Sequence, residues 1–103
     1  MKVYNMTSAR GNKVPNQFKI ENGGEVYFQS YNSICARWSG YQLELGRDWD
    51  YSVTTMKYLH NFLESECIPL HNAKEIRKAI KDGFFTYANG VKILVNYNES
   101  LGM

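Results

Sequence analysis

Apolar and polar residues alternate along much of the first half of the chain, as expected for β-strands that bury one face. The alternation predicts strands at residues 1–6, 17–21, 25–29, 34–38 and 41–45. A turn sequence that contains glycine follows the first strand, and two more lie within the two successive hairpins that the last four strands form. The first half of the chain is therefore predicted to be an antiparallel sheet.

The apolar residues of the first hairpin favour one of two registers. A three-residue loop at residues 22–24, with its last glycine at positive φ, sets Ile20 and Phe18 opposite Val26 and Phe28. A two-residue Asn-Gly turn would set Ile20 opposite a glutamate. Because a slip of one residue moves every side chain to the other face, we expect the three-residue loop, which makes one face wholly apolar.

The second hairpin, at Ser39-Gly40, has the cleanest alternation. A two-residue turn places its apolar side chains on one face, in the pairs Ile34–Leu45, Ala36–Leu43 and Trp38–Tyr41. The same register places Cys35 and Arg37 on the opposite face of the sheet, where they pair with Glu44 and Gln42.

Helical periodicity follows the second hairpin. A helix is predicted from an N-cap at Asp50 or Ser52 to about residue 64. Its apolar stripe consists of Val53, Met56, Leu59, Phe62 and Leu63. Pro69 prevents the helix from continuing without a break.

A second helix is predicted at residues 73–82. Asn72 is its N-cap, Glu75 is placed as in a capping box, and Gly83 is its terminator. The apolar side chains Ile76, Ala79 and Ile80 share one side, and the opposite side carries Lys74, Arg77, Lys78 and Lys81.

The last hairpin turns at Asn89-Gly90, a strong hairpin sequence. It is predicted to join residues 84–88 to residues 91–97, with Phe84, Thr86 and Ala88 opposite Val95, Ile93 and Val91. Strands, two helices and strands in this order predict one α+β domain over residues 1–103: an antiparallel sheet built from successive hairpins and packed with two short helices.

Composition narrows the function classes only slightly. Hydrophobic residues make up 44% of the chain, and there are eight tyrosines, a residue type common on recognition surfaces. The 12 Lys and Arg against 10 Asp and Glu give a net charge of +2. This balance allows nucleic-acid binding without favouring duplex DNA, and it excludes an acidic mimic of DNA.

Two features point to the cytoplasm. Residues 1–5 contain no apolar signal-peptide core, and no apolar run approaches the ~18 residues of a membrane-spanning helix. Cys35 and Cys67 are therefore expected to be free thiols in a reducing compartment.

The sequence gives little support for a catalytic site or a metal site. Cys35, His60, Cys67 and His71 lack the paired spacing of zinc sites and any signature of a nucleophile–base pair. We expect no metal, no cofactor and no catalytic residues, and hence no enzyme.

Two further segments invite a ligand but favour a structural interpretation. Asp48 and Asp50 could hold a hard cation, yet Asp50 lies where a helix cap belongs, and Trp49 lies where its hydrophobic anchor belongs. Residues 8–12 contain one glycine and precede a strand, whereas a phosphate-binding loop is rich in glycine and precedes a helix.

Polar side chains without a role in packing are the best candidates for binding a partner. They occur in SARGNKVPNQF (residues 8–18), at the predicted turn near residue 31 and on the outward face of the second hairpin. The candidate partner-binding residues are Arg10, Asn12, Lys13, Tyr31, Asn32 and Arg37.

Three blocks carry a likeness to known proteins: SARGNKVPNQF at residues 8–18, YFQSYNSICA at residues 27–36 and WDYSVTTMKYLHNFL at residues 49–63. The blocks resemble the patterns S-A-R-G-N-x-V-x-N-Q-F, Y-F-Q-S-Y-x-S-x-I-A and W-D-Y-S-x-T-T-x-K-Y-x-x-x-F-L of a family of small proteins encoded by bacteriophages and prophages of Gram-positive bacteria. Cys35 stands where the family more often has an aliphatic residue. That family has no established catalytic activity, so the resemblance implies origin and context, and it transfers no catalytic residue.

The resemblance implies a viral protein that acts in the cytoplasm of a bacterial host. Small non-enzymatic phage proteins often block host defences by binding a host protein. Our leading hypothesis is therefore an anti-CRISPR-like steric inhibitor of a defence nuclease. One alternative is a nucleic-acid-binding accessory protein of phage replication or regulation, with Tyr27, Tyr31 and Trp38 as stacking planes. A second alternative is a binder of a small nucleotide signal, which needs a concave pocket.

Overall fold

The computed structural model describes residues 1–103, which form seven strands, two helices and their connections. The elements are β1 (Lys2–Thr7), β2 (Lys13–Asn22), β3 (Glu25–Ser30), β4 (Ser33–Trp38), β5 (Gln42–Gly46), α1 (Val53–Ser65), α2 (Ala73–Asp82), β6 (Phe84–Thr86) and β7 (Lys92–Asn98). All strands join one sheet in the order β1-β2-β3-β4-β5-β7-β6. Neither helix combines the length and the apolar character needed to cross a membrane.

The sheet confirms the predicted α+β fold. Neighbouring strands pair antiparallel, with the exception of β5 and β7, which pair parallel. Parallel strands need a long crossover connection, and here α1, α2 and the edge strand β6 supply it. The crossover brings β7 beside β5, in the interior of the sheet.

Both helices pack on one face of the sheet. Residues paired across antiparallel strands share a face, so Phe28, Ala36 and Leu45 all lie on this covered face. Phe28 and Phe62 of α1 are fully buried, and their ring centroids lie 5.9 Å apart. The main core is thus the layer between the helices and the covered face, and we call the other side of the sheet the open face.

Of the two predicted N-caps of α1, Asp50 and Ser52, the helix uses Ser52. Its Oγ accepts a hydrogen bond of 3.1 Å from the backbone N–H of Thr55. Val53 is 81% exposed, so its predicted place in the apolar stripe is wrong. The helix instead turns Thr55 and Tyr58 toward the sheet, because the hydroxyl of Thr55 finds a buried partner there.

The ends of α2 are those predicted. Asn72 Oδ1 accepts a hydrogen bond of 2.9 Å from the backbone N–H of Glu75, and the Glu75 carboxylate accepts one of 2.7 Å from the backbone N–H of His71. Gly83 ends the helix in the left-handed conformation, with φ 82°.

The register of the first hairpin differs from the prediction. Gly23-Gly24 forms a two-residue turn in which both residues take positive φ, at 62° and 80°. Ile20 consequently lies opposite Tyr27, and Phe18 lies opposite Gln29. A turn with two positive φ angles matches the twist of the strands. The predicted register is wrong because the two strands place their apolar residues on different faces: Phe18 and Ile20 of β2 lie on the open face, whereas Val26 and Phe28 of β3 lie on the covered face.

The second hairpin keeps its predicted apolar face but is shifted by two residues. Ala36 and Trp38 pair with Leu45 and Leu43 rather than with Leu43 and Tyr41. A shift of two residues leaves every side chain on the same face.

Cys35 lies in the core and not on the open face, where it was predicted. The pairing of β3 with β4 shifts between Phe28 and Gln29, and this bulge leaves both Cys35 and Ala36 buried. Desolvation by burial raises the pKa of the Cys35 thiol to about 12. The side chain is therefore not the thiolate that a cysteine nucleophile requires.

The last hairpin is displaced by one residue from the prediction. Phe85, and not Phe84, lies with Ile93 on the covered face. The connection is longer than two residues, since the backbone N–H of Tyr87 donates to the carbonyl of Val91 at 2.9 Å. A slip of one residue exchanges the faces, and the burial of Phe85 against the helices favours the observed register.

Gly46, at the end of β5, lies where no side chain fits. An added Cβ would clash with the backbone oxygen of Ile34 and would lie 3.4 Å from Leu101 Cβ. We expect Gly46→Ala to lower the free energy of unfolding by about 1–3 kcal/mol in a urea titration, the usual cost of overpacking. Gly102→Ala is the control, because the nearest atom to its added Cβ lies at 4.0 Å. Equal stabilities of the two variants would contradict the close approach at Gly46.

Candidate functional site

One end of the sheet brings together segments that are far apart in the sequence. Because β1 to β4 alternate in direction, the β1–β2 and β3–β4 connections lie at the same end. β5 also finishes there, and residues 47–52 lead from it into the N-terminus of α1. We call this the cleft end of the sheet.

A cleft of ≈ 440 Å³ opens at this end. It is lined by residues 30–33, Asp48, Tyr51 and Thr55. Its volume lies within the range of small-ligand sites, about 300–1,000 Å³. We call it the end cleft.

An unusual backbone conformation positions Tyr31 in the end cleft. Its φ is 55°, and that of Asn16 is 65°. The Tyr31 N–H donates to the Asn16 carbonyl at 2.7 Å, and Gln29 Nε2 donates to the Tyr31 carbonyl at 2.8 Å. A left-handed conformation costs a non-glycine residue about 1–2 kcal/mol, which these hydrogen bonds offset. Asn16, near the end of SARGNKVPNQF, therefore has a structural role.

Two exposed tyrosines stand together in the lining of the end cleft. Tyr31 is 42% exposed and Tyr51 is 69% exposed. Their ring centroids lie 6.2 Å apart in an edge-to-face arrangement. The pair offers both ring faces and hydroxyl groups to a ligand or partner.

Buried hydroxyl groups join β3 to the first turn of α1. Thr55 Oγ1 lies 2.9 Å from Ser30 Oγ and 3.0 Å from Ser52 Oγ. Gln17, paired with Ser30 across the strands, is fully buried, and its side-chain amide has no hydrogen-bond partner. The hydroxyl network fixes the position of the helix N-terminus against the sheet.

The end cleft also contains a carboxylate. Ser33 Oγ donates to Asp48 Oδ2 at 2.6 Å, and Arg47 Nε lies 3.4 Å from Asp48 Oδ1. The hydrogen bond from Ser33, assisted by the charge of Arg47, holds the pKa of Asp48 below its ordinary value. Asp48 is therefore negatively charged at neutral pH.

The hydrogen bond from Ser33 is testable by titration. We expect Ser33→Ala to raise the pKa of Asp48 toward its ordinary value, as read from the Asp48 carboxyl signal in NMR spectra. A carboxyl with a lowered pKa stabilises the folded state above its unfolded-state pKa, and this contribution is lost as pH falls through the folded-state value. The variant should thus be less stable than the wild type at neutral pH, and the difference should vanish at acid pH. An unchanged Asp48 titration would contradict the interaction.

Five of the six candidate residues lie at the cleft end: Arg10, Asn12, Lys13, Tyr31 and Asn32. The first three are exposed in and beside the β1–β2 connection, where Asn12 also accepts a backbone hydrogen bond of 2.8 Å from Ser8. The other two line the end cleft. The topology therefore gathers most of the set at one end.

Arg37 lies apart from the other five, on the open face. It pairs with Glu44, and its Nε lies 3.6 Å from Glu25 Oε2. The hydrogen bond to Glu44 raises the pKa of Arg37. Its charge is thus engaged within the sheet.

Sequence reasoning did not select Ser33, Asp48 and Tyr51 as binding residues. Asp48 was considered only as a possible cation ligand and Tyr51 was given no role, since only the fold brings them beside the β3–β4 connection. The alternation of acidic and aromatic residues in Asp48-Trp49-Asp50-Tyr51 was the one pattern that could have pointed to them.

The comparisons with known proteins place the chain in a family without assigning it an activity. Searches of curated proteins and of solved structures find no match. The family model of DUF8033 matches residues 1–83, which include β1 to β5, both helices and every residue of the end cleft. The chain therefore belongs to DUF8033, a family of unknown function.

Proposed function

We propose that the protein is a phage-encoded inhibitor of a bacterial defence nuclease, in the manner of an anti-CRISPR protein. The observation that carries the proposal is the pair of exposed rings, Tyr31 and Tyr51, at the same end of the sheet as Arg10 and Lys13. Large aromatic side chains and arginine supply most of the binding energy in protein interfaces.

The cleft end is built to bind without reordering. The β3–β4 connection has only two residues, and hydrogen bonds from Tyr31 and Gln29 hold it in place. The hydroxyl network of Thr55 fixes the other wall. A surface that is ordered before binding loses little conformational entropy when a partner docks.

The charge of the β1–β2 connection fits an acidic partner surface. Arg10 and Lys13 take part in none of the six ion pairs of the chain. An acidic patch on the nuclease would complement these exposed cations and speed association. Inhibition is steric in this proposal, because the bound protein covers the catalytic or nucleic-acid-binding surface.

A plating assay tests the proposal. Cells whose CRISPR nuclease targets a phage would express the protein, and we expect phage plating to be restored. Arg10→Glu with Lys13→Glu should abolish the effect, whereas Lys74→Glu with Lys81→Glu, on the exposed side of α2, should retain it. Unchanged plating in the presence of folded wild-type protein, across the defence nucleases that the protein meets in its host, would overturn the proposal.

A nucleic-acid-binding accessory protein is the second candidate. Exposed rings at the same end as cations also suit single strands, whose bases stack on tyrosine. The charge of Asp48 opposes it, because phosphates would meet a carboxylate in the end cleft. The same repulsion opposes the binding of a small nucleotide signal, since its phosphate groups would also meet Asp48. Fluorescence anisotropy with labelled oligonucleotides distinguishes this candidate from the proposed inhibitor. Tight binding that weakens steeply with salt would favour the nucleic-acid-binding protein.

A further inference from the structure

Most polar groups of the end cleft are already engaged within the chain. Ser30 and Thr55 share a hydrogen bond, and Ser33 donates to Asp48. The groups that remain are Asp48 Oδ1, whose one contact is the exposed Arg47, the carboxamide of Asn32 and the two tyrosine rings. A ligand thus meets one negative charge and two aromatic rings in the lining of the cleft.

A neighbouring acidic and aromatic pair, Asp50 and Trp49, already contacts an arginine of the chain. The Arg77 guanidinium lies 5.3 Å from the ring centroid of Trp49, and its Nη2 lies 3.6 Å from Asp50 Oδ2. In Asp48-Trp49-Asp50-Tyr51, therefore, one acidic and one aromatic residue already hold an arginine. None of the three cation–ring contacts of the molecule involves Tyr31 or Tyr51.

We propose that the end cleft binds the guanidinium group of an arginine on the partner protein, with Asp48 as the counter-charge and the rings of Tyr31 and Tyr51 as the stacking surface. This inference rests on the proposed function and names what the partner contributes. Nucleic-acid-binding surfaces are rich in arginine, so the cleft would sequester a residue that the nuclease uses to hold its substrate.

The chemistry favours arginine over other groups. A planar guanidinium stacks on aromatic rings while its N–H groups donate to a carboxylate oxygen, whereas lysine is a more strongly hydrated point charge. Arg47 does not pre-empt the site, because its side chain is 66% exposed and makes one contact of 3.4 Å with Asp48.

NMR titration with L-argininamide tests the site on the protein alone. We expect the backbone amide signals of residues 30–33 and 48–55 to shift and to saturate in the millimolar range, as suits a single charged contact at a surface. L-citrullinamide has nearly the same shape but carries a neutral urea group in place of the guanidinium. We expect it to bind at least about tenfold more weakly than L-argininamide, a difference of about 1.4 kcal/mol. Equal binding of the two probes, or shifts elsewhere, would overturn the inference. Tighter binding of adenosine monophosphate than of L-argininamide would assign the end cleft to a nucleotide instead.

Two pairs of variants separate the site from general effects. Asp48→Asn should weaken argininamide at least about tenfold, whereas Asp50→Asn, which does not line the cleft, should not change it. Tyr31→Ala should weaken the probe as well, whereas the exposed Tyr41→Ala should not. Unaltered binding to Asp48→Asn would overturn the inference. Because the titration contains no nuclease, its failure is distinct from a failure of the proposed inhibition.

Discussion

Phe62→Ala is expected to lower the free energy of unfolding by about 3–5 kcal/mol, the usual cost of removing a buried phenyl ring. Phe62 is fully buried, and its ring contacts Phe28 of the sheet, so its loss leaves a cavity between α1 and β3. A domain of this size is stable by about 5–15 kcal/mol, so a large share would be lost. Urea denaturation at 25 °C measures the change.

Val53→Ala is the matched control on the same helix. Val53 is 81% exposed, and exposed substitutions usually change stability by less than about 0.5 kcal/mol. A similar loss in both variants would mean that α1 does not pack on the sheet through Phe62.

Replacing Tyr31 and Tyr51 together with alanine is expected to weaken binding to the nuclease by at least about 100-fold, as for a pair of central aromatic anchors. Both rings are exposed, so the unfolding free energy should change little. Isothermal titration calorimetry with the purified nuclease gives the dissociation constants. The loss of binding free energy in the double variant should be smaller than the sum of the losses in the two single variants, because the two rings contact each other.

Tyr41→Ala is the control for the tyrosine variants. Tyr41 is 71% exposed, and the β4–β5 connection places it at the opposite end of the sheet from the end cleft. The affinity of the Tyr41→Ala variant for the nuclease should stay within about threefold of the wild type, as for a residue outside an interface. A loss equal to that of the double variant would contradict the assignment of the cleft end.

Local sequence patterns predicted the elements of the fold well. Strand alternation and helix caps act over a few residues, so Asn72 and Gly83 could be assigned before the fold was known, and the N-cap of α1 could be narrowed to Asp50 or Ser52. Registers depend on which side chains the rest of the chain buries. Local patterns could therefore not resolve the register of the first hairpin, whose two strands carry apolar residues on different faces, or the bulge at Cys35.

The candidate site shows the same division. Arg10 and Lys13 were predicted because polar residues in a turn have no packing role. Asp48 and Tyr51 join Tyr31 only because α1 starts at the end of the sheet where β3 turns into β4. That convergence is a property of the topology, and one sequence segment does not contain it.

The central claim is that the protein blocks a defence nuclease by covering its surface. A cleavage assay tests it most directly: a purified, guide-loaded CRISPR nuclease is titrated with the protein, and cut DNA is quantified. We predict that cleavage falls to background near one protein per nuclease with the wild type, and that it persists with the Tyr31→Ala, Tyr51→Ala double variant. Full cleavage at saturating wild-type protein, or equal inhibition by the double variant, would contradict the account.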